Sequence, residues 1–234
     1  MDLSGLGVDL HSHLIPGIDD GAKTMEDSIM LIKGLRQLGF KKIITSPHIM
    51  SGGYNNTPEI ILSGRDKVRE EIKAQGIDVD FDAWAEYYLD ETIMPKIEAR
   101  NLLTMGDNYV LVELSYLMKS FSTTSYFYSL ITNGYKVVLA HPERYPYYHS
   151  DDLDEYKMLK DHGVFFQVNI ASLTGTYGQG ARNIAEKLID NNMVDFIATD
   201  LHNTRHLGYI NASVKLPYME KIINYDKLMN KVFL

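Results

Sequence analysis

The chain has 234 residues with 31 Asp and Glu against 23 Lys and Arg, a formal charge of −8 with histidine neutral. That balance argues against nucleic-acid binding, which needs clustered cations, and the absence of cysteine excludes disulfides, thiolate zinc sites and cysteine nucleophiles. At 45% hydrophobic and 23% charged residues, one domain covering 1–234 can bury a substantial core. No stretch reaches the ~18 uninterrupted apolar residues of a membrane span, and Met1-Asp2-Leu3-Ser4-Gly5 lacks the basic and apolar regions of a signal peptide, so a cytoplasmic location is expected.

Short apolar runs alternate with helix-period segments, the signature of βα units around a parallel sheet or barrel. Strands are predicted at 6–10, 42–45, 79–85, 109–114, 136–140, 164–170 and 195–199. A helix over 26–38 places Ile29, Ile32, Leu35 and Leu38 near one face, and Gly39 stops it. Thr57-Pro58 opens the next helix as cap and first-turn proline, and Gly76 ends it. Further helices are predicted at 122–133, 152–162, 181–191 and 219–232, with local glycine loops at 51–56 and 175–180.

In a parallel α/β barrel the residues following each strand face one rim, so side chains far apart in sequence converge there. Here the exits are His11-Ser12-His13, Ser46-Pro47-His48, Glu86, Glu113, His141 and Asp200-Leu201-His202, which hold five of the eight histidines. Imidazoles two apart on an extended strand share a face, and with carboxylates nearby they can hold a divalent ion.

Several stretches resemble the polymerase and histidinol phosphatase (PHP) superfamily, most closely its bacterial protein-tyrosine phosphatases linked to capsular and exopolysaccharide synthesis. They are Asp9-Leu10-His11-Ser12-His13, Asp19-Asp20-Gly21, Thr45-Ser46-Pro47-His48, Ala85-Glu86-Tyr87-Tyr88, Val112-Glu113-Leu114-Ser115, Ala140-His141-Pro142-Glu143-Arg144-Tyr145 and Thr199-Asp200-Leu201-His202-Asn203. Asp19-Asp20-Gly21 and the run from His141 to Tyr145 point to the tyrosine-phosphatase subgroup. The resemblance implies a distorted (β/α)7 TIM-like barrel of the PHP type with a trinuclear site. His11, His13, Glu86 and Asp200 would hold one metal; Glu86 as bridge, Glu113 and His141 the second; Asp20, His48 and His202 the third. Imidazole and carboxylate ligands suit manganese, iron or zinc, and the resemblance favours manganese. It places Asp20 in the site, with Asp19 behind it.

The expected reaction is attack of a metal-bridging hydroxide on a phosphomonoester. Arg144 and Arg205, each three residues beyond an exit histidine, are candidates to clamp phosphate oxygens, with surface ion pairing as the alternative. A phenol of pKa near 10 needs little help in leaving; Asp20 or His206 could assist. Most of the 16 tyrosines are expected in packing, with Tyr54, Tyr145 and Tyr148 as candidates to stack on a substrate ring. His149 and His162 lie outside the exit register.

The resemblance implies a phosphotyrosine protein as substrate, such as the tyrosine-rich tail of a polysaccharide-assembly kinase. A small-molecule phosphatase of the histidinol-phosphate type uses the same residues. A PHP nuclease or proofreading module is disfavoured by the charge of −8 and the lack of a basic, aromatic-interleaved stripe. A homo-oligomer is compatible with the sequence.

Overall fold

Strands that read as continuous apolar runs must be covered on both faces. The computed structural model, which describes residues 2–234, achieves this with a ring of parallel strands inside a layer of helices. The strands are β1 Val8–Asp9, β2 Lys42–Thr45, β3 His48–Ile49, β4 Asp80–Ala83, β5 Glu86–Tyr88, β6 Tyr109–Glu113, β7 Lys136–Ala140, β8 Phe165–Asn169 and β9 Phe196–Ala198. The helices are α1 Met25–Gln37, α2 Pro58–Ala74, α3 Ile93–Glu98, α4 Thr123–Thr132, α5 Asp154–Asp161, α6 Gln179–Asp190, α7 Thr204–Ser213 and α8 Pro217–Ile223.

Among the described residues the named strands pair in parallel and fall into two sheets, β1-β2-β4 and β3-β5-β6-β7-β8-β9. The predicted second and third strands each continue past a break, at Ser46-Pro47 and at Trp84-Ala85, which turns seven expected strands into nine. Pro47 lacks the N–H a ladder needs, and its carbonyl accepts from the Glu86 N–H at 3.1 Å. Ser12 bridges Leu201, and the His13 N–H donates to the Leu201 carbonyl at 2.9 Å, joining the first strand's exit to the last. Seven βα steps therefore form a distorted (β/α)7 TIM-like barrel.

The core has two layers. Inside the ring, Val8, Leu10, Ile44, Trp84, Tyr109, Leu111, Val138, Ala140, Phe196, Ala198 and Phe233 form one cluster, at period two along the longer strands. The alternate residues, such as Val110, Val112, Val137 and Leu139, face outward into a second cluster that also takes in Ile32 and Leu35 of α1 and Ile61 and Val68 of α2. Thr24 caps α1 in a capping box with Asp27, and Thr57 caps α2 ahead of Pro58 as predicted. Gly39 ends α1 at φ 106°, where a Cβ would lie 2.7 Å from the Ser4 nitrogen.

One helical expectation changes, and two helices appear that the sequence did not announce. The predicted helix 219–232 is interrupted: α8 stops at Ile223 and a short 3₁₀ turn, Asn230–Phe233, follows. Asn230 is drawn into the barrel floor, where its side chain donates to Val8 O at 3.0 Å and Ile197 O at 2.7 Å and accepts from Ile197 N at 3.0 Å. Those bonds satisfy strand groups that a continued helix could not reach. Helix α3, six residues with Pro95 inside, is too short to show periodicity. Helix α7 buries only Ile210 and Ser213, so its apolar stripe is faint, and Asn203 starts it by accepting from the His206 N–H at 3.1 Å. Among the described residues no helix is long and apolar enough to cross a membrane.

Candidate metal centre

The inward face of the barrel changes character along each strand. On β6 the sequence Tyr109, Leu111, Glu113 runs from core to carboxylate, and on β8 Phe165, Gln167, Asn169 runs from apolar to amide. Trp84 to Glu86, Ile44 to His48 and Ala198 to Asp200 keep the same parity. His141 does not, and reaches the site through a left-handed backbone, φ 34°; Asp200 also sits at φ 49°. Residues other than glycine are uncommon in that region, histidine and aspartate less so than most, and such positions gather where function holds them. His11 and His13 depart from the parity of Val8 and Leu10 because β1 has ended and the chain there pairs with Leu201.

The nine predicted ligands meet at this rim. His11 Nε2 lies 3.3 Å from His13 Nε2, 3.2 Å from Glu86 Oε2 and 3.3 Å from Asp200 Oδ1, and His13 Nε2 lies 3.4 Å from each of the same oxygens. Four ligands about 2.1 Å from a tetrahedral ion stand roughly 3.4 Å apart, so this box fits one divalent metal. The remaining ring nitrogens face acceptors: His11 Nδ1 is 2.6 Å from Gln167 Oε1, and His13 Nδ1 is 2.8 Å from Asp19 Oδ2. An N–H on Nδ1 leaves Nε2 with its lone pair toward the box. Asp19 also accepts from the Gly21 N–H, which fixes the turn that presents Asp20.

Around the box stand further donors. His141 Nε2 is 3.2 Å from Glu86 Oε1 and 3.6 Å from Glu113 Oε1, while Asp20 Oδ1 is 3.4 Å from His202 Nε2 and 3.5 Å from His48 Nε2. His48 stands between these two sets, since its Nδ1 is 3.1 Å from Glu86 Oε2. Glu86 Oε2 and His48 Nδ1 are buried without a hydrogen-bond partner, a costly state that a cation relieves.

The charges are arranged for the same purpose. Burial opposes charge on Glu86, yet His11 and His48 hold its carboxyl well below the ordinary range. Burial, with the Glu86 charge beside it, pushes Glu113 up. Burial and the Arg144 charge lower His141 to about 4, which keeps it neutral and able to ligate. Clustered carboxylates of this kind become fully ionised when cations sit among them.

The centre opens into a cavity of about 400 Å³ walled by Tyr88, Tyr116, Tyr177 and Arg144. Arg144 donates to Asp200 Oδ2 at 2.9 Å, and its guanidinium carbon lies 4.7 Å from the Tyr116 ring centre and 4.2 Å from that of Tyr177. Arg205 does not line this cavity: it is exposed on α7 and donates through Nε to Tyr209 Oη at 2.9 Å, because the first turn of the helix directs it along its own surface. His206, one residue on, does line the cavity.

Tyr145 and Tyr148 are buried at 0% and 2% exposure and cannot meet a substrate ring. Tyr145 Oη instead ties Ala140 O to Leu114 N. Tyr54 stacks on His48 with ring centres 5.3 Å apart. His149 is half-buried against the Glu143 carbonyl and His162 is exposed. Tyr88, Tyr116 and Tyr177 were not singled out as wall residues, because tyrosine composition does not distinguish wall from core. Gln167 and Asn169 were also missed, although two amides at period two in the otherwise apolar strand 164–170 are a readable signal. Gln167 Nε2 donates to Asn169 Oδ1 at 2.9 Å, and Asn169 Nδ2 donates to Asp200 Oδ2 at 2.7 Å, so the pair links His11 to Asp200.

A parallel barrel with imidazole and carboxylate side chains at its C-terminal rim defines a metallohydrolase type of architecture. Within it, residues 7–228 match the family model for CpsB/CapC, capsular polysaccharide synthesis, and the chain belongs to that family. It is 28% identical over 203 residues to tyrosine-protein phosphatase YwqE of Bacillus subtilis (strain 168), covering 85% of this chain and 78% of the relative. It is 27% identical over 226 residues to a putative tyrosine-protein phosphatase CapC of Staphylococcus aureus, covering 94% and 88%. A solved structure described as that of YwqE from Bacillus subtilis and CpsB from Streptococcus pneumoniae, unique metal-dependent tyrosine phosphatases, superposes with a TM-score of 0.80 at 27% identity, over 91% of this chain and 90% of the other. The phosphotriesterase homology protein of Escherichia coli, with a TM-score of 0.56 at 13% identity, covers 100% of this chain and 97% of its own and shares the fold.

Proposed function

We propose that this chain, as one catalytic domain over 1–234, is a metal-dependent protein-tyrosine phosphatase. The observation that carries the reading is the convergence of nine metal-competent side chains, two with orphaned buried atoms, seven of them lining a cavity walled by tyrosines and one arginine and His11 and His13 buried beneath it. The relatives' tyrosine-phosphatase activity supports it. His11, His13, Glu86 and Asp200 would hold one ion, Glu86, Glu113 and His141 a second, and Asp20, His48 and His202 a third, with manganese as the ion. Metals held there supply Lewis acidity toward phosphate and lower the pKa of a coordinated water to about 7.

The chain's own groups do the rest. Asp200 fixes one edge of the Arg144 guanidinium and Tyr177 and Tyr116 hold its faces, leaving N–H groups for phosphate oxygens at the cavity wall. Tyr88 offers aromatic surface to a phenyl group at the cavity wall, beside Tyr116, whose ring is engaged on Arg144 and His141. Burial opposes charge on Asp20 at the mouth, yet His202 beside it holds its carboxyl well below the ordinary range, and burial lowers His206, so neither carries a proton at neutral pH and the phenolate, of pKa near 10, departs without one.

The proposed partner is the tyrosine-rich tail of a polysaccharide-assembly kinase in the cytoplasm, in keeping with the family's place in capsular polysaccharide synthesis. The test compares a phosphotyrosine peptide with histidinol phosphate, using metal-stripped protein before and after Mn²⁺ is restored. Metal-restored turnover of the peptide is expected. Turnover of the metabolite alone would move the substrate to the small-molecule class, and no turnover of either would reject the phosphatase.

A further inference from the structure

Resting on the phosphatase reading, we propose that the β6–α4 loop, residues 114–122, is a docking surface for apolar residues flanking the phosphotyrosine of a peptide substrate. On this loop Leu117 is 95% exposed, Met118 69% and Phe121 105%. Three large apolar side chains held in water on one short loop are unusual for a monomer surface and mark a contact region.

The loop is pinned rather than loose. Tyr147 Oη donates to Ser115 O at 2.7 Å at its base, and Lys119 Nζ donates to Glu155 Oε2 at 2.7 Å in its middle while lying 5.3 Å from the Tyr148 ring centre. The polar side chain is thus folded back onto the barrel and the apolar ones are presented outward. Such a surface costs little further ordering when a partner arrives.

Its position names the occupant. The loop leaves β6 directly after Glu113, and Tyr116 both walls the cavity and stands 36% exposed, so the aromatic wall runs into the apolar loop without a break. An extended peptide advances ~3.3 Å per residue, so the flanks of a phosphotyrosine held beside Tyr116 reach past the cavity edge, on the side where 117–121 continue the chain. Anionic lipid is a poorer fit, because the chain carries a charge of −8 and the loop's one cation, Lys119, is already paired.

The test uses Mn²⁺-loaded full-length protein, wild type and the triple variant Leu117→Ser, Met118→Ser, Phe121→Ser. Three substrates are compared: a phosphotyrosine peptide with Leu and Val flanks, the same peptide with Ser and Gly flanks, and p-nitrophenyl phosphate. Wild type should show a KM about tenfold lower for the apolar-flanked peptide than for the polar one, and the variant should erase that difference with p-nitrophenyl phosphate turnover unchanged. Equal KM for both peptides in wild type, or a preference retained by the variant, overturns the docking surface while leaving the phosphatase intact. Flank-independent kinetics with a variant-sensitive sedimentation coefficient would reassign the loop to self-association. Flank-independent kinetics with variant-sensitive binding to phosphatidylglycerol vesicles would reassign it to lipid. Absence of turnover on all three substrates would reject the phosphatase reading itself.

Discussion

Arg144 and Asp200 are joined at 2.9 Å through Nη1 and Oδ2, while the other oxygen of Asp200 stands 3.3 Å from His11 Nε2. One carboxylate therefore spans the metal box and the phosphate-facing guanidinium. Asp200 is buried, and Asn169 Nδ2 also donates to Oδ2 at 2.7 Å, so the carboxylate is held from two sides.

Arg144→Ala removes a donor aimed at the cavity and one of two donors to Asp200 Oδ2, leaving Asn169 Nδ2 at 2.7 Å to hold that carboxylate in the box. A fall in kcat/KM of about 100-fold is expected, with metal content unchanged. Steady-state kinetics beside metal analysis checks this, and unchanged kcat/KM would take Arg144 out of the site. Arg205→Ala, on the surface of α7, is expected to leave kcat/KM within about twofold.

Glu86→Gln replaces the carboxylate that faces His11, His13, His48 and His141 with a neutral amide. Activity should fall by more than about 100-fold and metal content should drop, while far-UV circular dichroism stays that of wild type because the barrel core is untouched. Full turnover in this variant would contradict a shared carboxylate at the centre.

Proton release should accompany metal uptake. In the metal-free protein burial works to lower the His11 pKa, but the charges of Glu86 and Asp200 win and raise it to about 9. A value raised above the unfolded ~6.5 gives stability that is fully present below pH ~6.5 and is lost as pH rises through about 9. This group should therefore lower the melting temperature of metal-free protein across that window. Since a ligating imidazole is neutral, Mn²⁺ binding at pH 7 should release at least one proton and tighten as pH rises. Calorimetry in buffers of differing ionisation enthalpy measures the release, and a buffer-independent heat would refute it.

Asn230→Ala tests the barrel floor. It leaves Val8 O and the Ile197 amide groups buried without partners, for a loss of roughly 2–4 kcal/mol in unfolding free energy. The metal centre lies at the opposite, C-terminal end of the strands, so kcat should hold. Urea unfolding of metal-free protein reads the first, and turnover at 25 °C the second.

Much of the candidate site was legible because a parallel barrel gives position a chemical meaning. A strand buried on both faces announces itself by apolar residues, and the first imidazole or carboxylate beyond it falls on the common rim; Glu113, His48 and Asp200 follow that rule. What surrounds the ligands was less legible. Gln167 and Asn169 looked like part of a strand, and the tyrosines that wall the cavity look in sequence like those that fill the core.

The sequence by itself determined the alternation of seven apolar runs with helices, the exclusion of thiol chemistry and eight imidazole or carboxylate exits, since each depends on local periodicity or on residue type; Asp20 and the (β/α)7 barrel came from the resemblance of the motifs. Only the tertiary structure decided that Arg144 faces the cavity and Arg205 does not, that Asp19 supports His13 while Asp20 faces His48 and His202, and that Tyr145 and Tyr148 are core. Those outcomes turn on backbone direction over one or two residues and on contacts between segments far apart in the chain, such as Asp9 with Thr199, 190 residues on. The physical reason is that a side chain's surroundings are set by which strands become neighbours, and the chain closes that ring only when His13 and Ser12 meet Leu201.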